Sequence, residues 1–252
     1  MSPEARAARL VAGARRAVAF TGAGVSTESG IPDFRSPGTG VWTKYDPEEF
    51  AYGRFVSNAE SRRKYWRWAT EFYPHIQGAA PNPCHLALAE LERRGRLRCV
   101  ITQNIDGLHA RAGSQDVIEL HGTATRVGCL ECGKDWPRAE IHAWLVAGNP
   151  DPRCDACGGI LKPRTISFGQ AMPPDETRRA FAEARGCDLM IVAGSSLVVY
   201  PAADLVPTAH AAGAKLVLVN LAPTPFDDLA DVVLRAKAGA ALAAVLALLP
   251  AP

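Results

Sequence analysis

Four short runs of apolar, largely β-branched residues are separated by longer segments with helical spacing. The runs cover residues 17–21, 99–103, 189–193 and 215–220, and their continuous apolar character is typical of parallel strands buried on both faces. Helices are predicted over residues 82–94, 174–185, 202–212 and 238–249. This alternation predicts an α/β fold with a doubly wound, parallel, Rossmann-like sheet.

Two segments interrupt the alternation and are predicted to form a second, smaller lobe. Residues 32–83 are rich in proline and glycine up to Gly40 and then aromatic and charged, which favours a helical module. Residues 122–169 contain four of the seven cysteines. The large lobe would then comprise residues 1–31, 84–121 and 170–252, with both lobes in a single domain.

Composition narrows the class of ligand and the compartment. The 28 basic and 26 acidic residues nearly balance, which argues against a nucleic acid as the main ligand. No apolar run approaches the roughly 20 residues that cross a bilayer, and the first 19 residues lack a cleavable apolar block. We therefore expect a soluble, cytoplasmic protein without a membrane partner. The oligomeric state is not predicted.

The cysteine spacing predicts a structural zinc site. Two Cys-x-x-Cys pairs are separated by 21 residues, and four thiolates complete a tetrahedral shell. The predicted ligands are Cys129, Cys132, Cys154 and Cys157. A closed shell leaves no position for water or substrate, so the metal would stabilise the small lobe. A redox dithiol is disfavoured because two pairs occur together, with Gly133, Gly158 and Gly159 suited to the turns.

The other cysteines and most histidines are predicted to be structural. The three cysteines lie near strand or helix starts, where a small buried hydrophobic side chain is the favoured interpretation. These residues are Cys84, Cys99 and Cys187, together with His75, His85, His142 and His210. His109 ranks second, after His121, as a candidate for chemistry.

Candidate binding residues follow the predicted strands. Gly22-Ala23-Gly24-Val25-Ser26 comes directly after the first strand, where a glycine turn lets backbone amides approach a pyrophosphate. The motif alone is weak, and the expected second strand ending in an acid does not follow. Residues 30–38 instead form an irregular loop containing Asp33, Phe34 and Arg35, which resembles a lid over a ligand.

Polar residues also end the later strands, at the sheet edge where open α/β folds bind ligands. They occur in residues 102–109, 119–122, 194–196 and 220–221. His121 lies at the predicted lobe boundary, and an imidazole that titrates near neutrality suits a general base.

These motifs, in this order and spacing, resemble those of the sirtuins, over nearly the whole chain and in a compact, bacterial-type form. The resemblance implies one sirtuin catalytic domain that binds NAD between the lobes. It implies that His121 is the general base and that Asn104 and Asp106 are catalytic. The implied NAD-binding residues are Gly22, Ala23, Gly24, Thr27, Ile31, Asp33, Phe34, Arg35, Gln103, Asn104, Ile105, Asp106, Gly194, Ser195, Ser196, Asn220 and Leu221.

The resemblance also implies the reaction, in which NAD is consumed as a co-substrate. The acyl oxygen of an acetylated lysine attacks the ribose as nicotinamide leaves. His121 then deprotonates a ribose hydroxyl that attacks the resulting imidate, and water finally releases lysine and O-acetyl-ADP-ribose. Phe34 would shield the intermediate from water. The substrate strand would pair with residues 167–169 and 197–199. Ser167 departs from the usual apolar residue, which leaves the peptide preference open.

The acyl preference is expected to be acetyl or another short, uncharged group. Sirtuins that prefer acidic acyl groups have a Tyr-x-x-Arg pair, whereas Tyr65 and Arg67 here are two residues apart and would not share a helix face. Two alternatives remain open: a mono-ADP-ribosyltransferase on the same fold, and a non-catalytic zinc-ribbon binding module.

Overall fold

A six-stranded parallel sheet forms the centre of the protein. The computed structural model describes residues 1–250, and within them the strand order is β3-β2-β1-β7-β8-β9. The strands are β1 Ala17–Thr21, β2 Cys99–Thr102, β3 Val117–Glu119, β7 Leu189–Ala193, β8 Lys215–Val219 and β9 Val232–Leu234. The predicted α/β class and parallel sheet are therefore confirmed.

Nine α-helices occur in the described part of the chain. They are α1 Pro3–Gly13, α2 Tyr52–Ser57, α3 Ala59–Gly78, α4 Pro83–Arg93, α5 Leu108–Arg111, α6 Arg138–Val146, α7 Pro174–Gly186, α8 Leu205–Ala211 and α9 Ala238–Ala247. Between residues 1 and 250, no helix combines the length and apolar character needed to cross a membrane.

Both faces of the sheet are buried, which explains the continuous apolar strands. In β1, Ala17 and Ala19 pack into one cluster with α1, α4 and α9. Val18 and Phe20 point to the opposite face, into a cluster with α7 and α8. Successive strand residues face opposite sides, so each strand contributes to both cores.

A second, antiparallel sheet has the strand order β5-β4-β6. Its strands are β4 Gly122–Cys129, β5 Asp135–Pro137 and β6 Leu161–Thr165. An aromatic and aliphatic cluster joins this sheet to α2 and α3, and its member Trp66 is fully buried. The buried Arg62 of α3 also forms an ion pair with Asp151, with Nε 3.0 Å from Oδ1. Asp151 lies close in sequence to the second cysteine pair.

The structure differs from the sequence predictions at short elements and at one proline. The predicted helix over residues 202–212 is a 3-10 turn, Ala202–Asp204, followed by α8. Pro207 has no amide hydrogen and is tolerated only in a first helical turn, which explains why the α-helix begins at Leu205. The three-residue strands β3 and β9 and the N-terminal α1 were not predicted. Two predicted strands end one residue earlier than expected, at Thr102 and Val219.

Candidate active site

A cavity of about 1030 Å³ lies at the carboxyl ends of the parallel strands and extends to the smaller sheet. His121 lines it, together with every residue that the sirtuin resemblance assigns to NAD. Those residues are Gly22, Ala23, Gly24, Thr27, Ile31, Asp33, Phe34, Arg35, Gln103, Asn104, Ile105, Asp106, Gly194, Ser195, Ser196, Asn220 and Leu221. The topology brings them together because β1, β2, β7 and β8 are parallel neighbours that end at one edge.

The loops after β1 and β7 lie directly against each other. The Gly24 amide donates to the Gly194 carbonyl (2.8 Å) and the Gly22 amide donates to the Ala193 carbonyl (3.1 Å). A Cβ on Gly24 would lie 2.8 Å from the Gly194 oxygen, and a Cβ on Gly194 would lie 2.4 Å from the Val25 nitrogen. The glycines are therefore required for loop packing. Residues 22–26 were predicted to contact a pyrophosphate through their backbone amides. Four of these five amides, those of Gly22, Gly24, Val25 and Ser26, already donate to main-chain oxygens of the protein.

His121 is held at a defined tautomer. Its Nδ1 lies 3.0 Å from the main-chain oxygen of Gln103. A carbonyl oxygen only accepts hydrogen bonds, so Nδ1 carries the proton and Nε2 has the free lone pair in the neutral ring. Burial lowers the pKa of His121, the hydrogen bond to Gln103 opposes this shift, and the charge of Arg35 adds to it. The ring is thus neutral near pH 7 and suited to accept a proton.

A buried hydrogen-bonded chain lies in the wall of the cavity that His121 also lines. Ser26 donates to Oδ2 of Asp106 (2.7 Å), and the Asn104 side-chain amide donates to Ser26 Oγ (3.0 Å). Asp106 Oδ1 also accepts from the Leu108 amide (2.9 Å). These contacts hold the amide of Asn104 and the carboxylate of Asp106 in fixed orientations at the cavity wall.

The irregular loop of residues 30–38 also lines the cavity. Asp33 Oδ1 accepts from the amides of Arg35 (2.9 Å) and Ser36 (2.7 Å), so its carboxylate organises the turn. Phe34 stacks on Trp42 with ring centroids 5.3 Å apart. Trp42 in turn contacts Phe168 of the segment after β6 (5.9 Å). Aromatic contacts therefore pack the loop against the segment that follows β6.

Other predicted residues lie away from the cavity. His109 does not line it: the ring is 2% exposed and Nε2 lies 2.9 Å from Thr21 Oγ1. Burial lowers the pKa of His109 to about 3, so it remains neutral. His75, His85, His142 and His210 are also outside the lining. Cys84, Cys99 and Cys187 are buried, as predicted.

Several lining residues were not predicted from the sequence to be part of the site. Ser26 connects Asn104 to Asp106 by hydrogen bonds. In the sequence, only its position in the glycine motif indicated that Ser26 lies near the site. One face of α3 forms an apolar wall of the cavity, consisting of Tyr65, Trp68, Phe72 and Ile76. Arg67 is exposed and does not line the cavity, consistent with its predicted separation from Tyr65.

The two segments expected to bind a substrate strand differ in their exposure to the cavity. Ser167, Phe168 and Gly169 line it, but in residues 197–199 only Val199 does, and Leu197 is 1% exposed. The Ser167 amide already donates to the side-chain oxygen of Gln170 (3.2 Å). A peptide strand that used this amide would have to displace Gln170.

The four cysteine sulfur atoms fit a zinc ion. All four lie within 4.8 Å of one another, and the Cys129–Cys157 and Cys132–Cys154 sulfur distances are 3.5 and 3.6 Å. A tetrahedron with Zn–S bonds of about 2.3 Å has edges of about 3.8 Å. A glycine in the left-handed conformation closes the turn of each cysteine pair. The amide of Gly133 donates to the main-chain oxygen of Cys129, and the amide of Gly158 donates to the main-chain oxygen of Cys154.

The fold and the cavity define the class: an α/β protein with a Rossmann-like sheet, a ligand crevice at its carboxyl edge and a four-cysteine module. A family model described as the Sir2 family matches residues 22–201, and the chain belongs to that family.

Relatives and solved structures extend the likeness over most of the chain. An NAD-dependent protein deacetylase of Thermodesulfovibrio yellowstonii is 46% identical over 229 residues, 91% of this chain and 88% of the relative. NAD-dependent protein deacylase 2 of Archaeoglobus fulgidus is 46% identical over 239 residues, 94% of this chain and 92% of the relative. A Sir2 variant with deacetylated p53 peptide and 3′-O-acetyl ADP-ribose has a TM-score of 0.90 at 41% identity, covering 96% of each chain.

Proposed function

We propose that this protein is an NAD-dependent protein-lysine deacetylase. It cleaves NAD to nicotinamide and transfers the acetyl group to ADP-ribose, releasing lysine and O-acetyl-ADP-ribose. The observation that carries the proposal is the tautomer of His121: its Nδ1 is fixed on Gln103, and the ring lines the same cavity as the candidate dinucleotide residues. The Sir2 family membership and the names of the relatives support the same activity.

His121 acts as the general base. NAD supplies the electrophilic ribose carbon and the nicotinamide leaving group. Nε2 of His121 accepts the proton of a ribose hydroxyl, because Nδ1 is already donating to Gln103. The positive charge that develops on the ring is stabilised at Nδ1 by the same carbonyl. Because burial lowers the pKa of His121, the ring is already neutral near pH 7 and can accept this proton.

Asn104 and Asp106 position the nicotinamide end of NAD. Ser26 orients both side chains, and Ile31, which lines the same cavity, supplies an apolar contact. Phe34, held on Trp42, covers the ribose and shields the intermediate from premature attack by water. On the adenosine side, Ser195 is fixed by a bond from the Gln103 side-chain amide (3.0 Å).

The domain is proposed to divide as the sequence indicates, with a large lobe of residues 1–31, 84–121 and 170–252 and a small lobe of residues 32–83 and 122–169. The cavity has lining residues from all of these ranges. Cys129, Cys132, Cys154 and Cys157 would hold the zinc, which stabilises the small lobe and takes no part in bond breaking. The four thiolates favour a reduced, cytoplasmic compartment.

The substrate is proposed to be a protein with an acetylated lysine, bound as an extended strand between residues 167–169 and 197–199. The cavity-facing side chains of α3, Tyr65, Trp68, Phe72 and Ile76, are uncharged, which favours an uncharged acyl group. No nucleic acid is expected as a partner.

The decisive experiment measures turnover as nicotinamide release that depends on an acetyl-lysine peptide. His121→Ala is expected to lower turnover by at least 100-fold, because general-base catalysis contributes on the order of 10²–10⁴-fold. His210→Ala, at an exposed histidine outside the cavity, is the matched control and should behave as wild type. Label transfer from NAD to protein would indicate the ADP-ribosyltransferase alternative, and the absence of NAD binding would indicate a zinc-ribbon module.

A further inference from the structure

Lys162 is a buried lysine that the proposed mechanism does not use. It lies in β6 and is only 2% exposed. Its ammonium group donates to the main-chain oxygens of Thr165 (2.5 Å) and Pro163 (3.3 Å). Within residues 1–250 it has no carboxylate ion-pair partner. Burial lowers the pKa of Lys162 to about 7, with a smaller contribution from Arg164.

A buried cation without an ion-pair partner is costly, so its contacts are informative. Lys162 bonds to the backbone where the pairing of β4 with β6 is irregular: the register shifts between Gly122 and Val127 of β4. Thr165 is paired with Gly122 on one side of this irregularity, and Pro163 with Val127 on the other. The ammonium group therefore stabilises a stretch of β6 that regular sheet pairing does not hold.

The Thr165–Ile166 peptide group connects Lys162 to His121. Its carbonyl accepts from Lys162, and its amide, on Ile166, donates to the main-chain oxygen of His121 (2.9 Å). Both groups belong to one planar unit, so the bond at one end fixes the direction of the other. The side chain of His121 is anchored separately on Gln103.

The same segment continues into the cavity wall. Thr165, Ile166, Ser167 and Phe168 line the cavity, whereas Lys162 does not. The Tyr52 amide holds the Phe168 carbonyl at the far end of this segment (2.9 Å). Lys162 thus holds the Thr165 end of this segment from the side that faces away from the cavity. Its side chain does not reach a bound substrate.

We propose that Lys162 is a positioning residue for His121, acting through the Thr165–Ile166 peptide group. This inference rests on the proposed function of His121 as the base. Loss of the lysine lets the peptide group rotate, so the imidazole loses its alignment with the ribose hydroxyl. In the proposed sequence, nicotinamide leaves before the base acts, and Lys162 is therefore important for the second step.

The test compares Lys162→Met with wild type. Methionine has a similar length and fills the apolar site but donates no hydrogen bond. Deacetylation is expected to fall at least ten-fold in kcat, whereas exchange of labelled nicotinamide into NAD falls less than three-fold and the KM for NAD changes less than two-fold. In the His121→Ala background, Lys162→Met should cause no further loss of deacetylation, because one group acts through the other.

Two further measurements keep the inference falsifiable. The nitrogen chemical shifts of the His121 ring should move in Lys162→Met while those of buried His109 do not, and this readout decides the question even if wild type shows no deacetylase activity. If Lys162→Met does not fold, Lys162→Gln keeps a shorter, neutral donor. It should raise the exchange-to-deacetylation ratio at least three-fold. A folded variant with wild-type ratio and wild-type His121 shifts would overturn the proposal.

Discussion

The imidazole of His121 donates from Nδ1 to the main-chain oxygen of Gln103, 3.0 Å away. The acceptor belongs to the backbone, so no side-chain change at residue 103 removes it. Gln103 follows β2 and His121 follows β3, two neighbouring parallel strands, so sheet pairing itself sets the distance between them. The free Nε2 is the position from which a base would act.

His121 is expected to titrate below the ordinary histidine value of about 6.5, since burial disfavours its charged form. A histidine with a lowered pKa is neutral at pH 7 and becomes protonated only as the pH falls further. Nitrogen-detected NMR titration of the ligand-free protein would show this. His109, with a pKa of about 3, should remain neutral throughout the range and serve as an internal control. A His121 midpoint above 6.5 would contradict the expectation.

Ser26→Ala is expected to raise the KM for NAD roughly 5- to 100-fold. The change leaves Asp106 Oδ2 and the Asn104 amide without their shared partner, and an unsatisfied buried polar group costs about 1–3 kcal/mol. The KM for peptide should change little. Ser57→Ala, at an exposed serine of α2, is the control. An unchanged KM for NAD would show that Ser26 does not orient the pair.

Removal of zinc should unfold the small lobe before the large one. Purified protein is expected to contain one zinc per chain, and Cys129→Ser should lower both the zinc content and the thermal midpoint. Structural zinc binding contributes a free energy on the order of 10 kcal/mol to folding, and an incomplete ligand shell loses much of it. Cys187→Ala, at a buried cysteine outside the cluster, should retain the metal. Full zinc occupancy in Cys129→Ser would argue against the four-thiolate site.

Gln170→Ala is expected to lower the KM for an acetylated peptide about two- to ten-fold. The Gln170 side chain occupies the Ser167 amide that a substrate strand would use, and a hydrogen bond is worth about 0.5–1.5 kcal/mol. Peptide titrations at saturating NAD would measure the effect, with exposed Gln115→Ala as the control. A higher KM in Gln170→Ala would mean that the side chain itself binds the peptide.

Acetyl-lysine should be processed faster than succinyl-lysine in matched peptides, because the α3 wall of the cavity has no charge. Phe72→Arg introduces a cation on that wall and is expected to raise the succinyl-to-acetyl ratio of kcat/KM at least ten-fold. Arg67→Ala changes an exposed residue of the same helix and should leave the ratio unaltered. Faster removal of succinyl than acetyl by wild type would refute the expected preference.

The sequence predicted the centre of the fold well because buried parallel strands have a distinctive composition. β1 and β7 have the predicted bounds, since both are buried along their whole length and are followed by glycine-containing turns. β3 and β9 are only three residues long and show no periodicity that distinguishes them from loops. The cysteine spacing was equally informative, because metal ligands must recur at short fixed intervals.

Contacts between distant side chains could not be predicted from the sequence. Nothing in the local pattern indicates that Ser26 meets Asp106, or that Lys162 is buried against its own strand. His109 follows a sheet-edge motif and was therefore a reasonable candidate, but the short helix α5 turns its ring into the core. Such outcomes depend on how elements pack, which residue spacing alone does not encode.

The main chain around Gly194 fills the space that a side chain at position 24 would need, and the main chain around Gly24 does the same at position 194. The two loops cannot separate without breaking the bond between them, nor approach more closely without a clash. The hydrogen bond and the close packing therefore couple the two loops, although they lie about 170 residues apart in sequence. A substitution that adds a side chain at either glycine would therefore displace both loops, and with them the part of the cavity wall that they form.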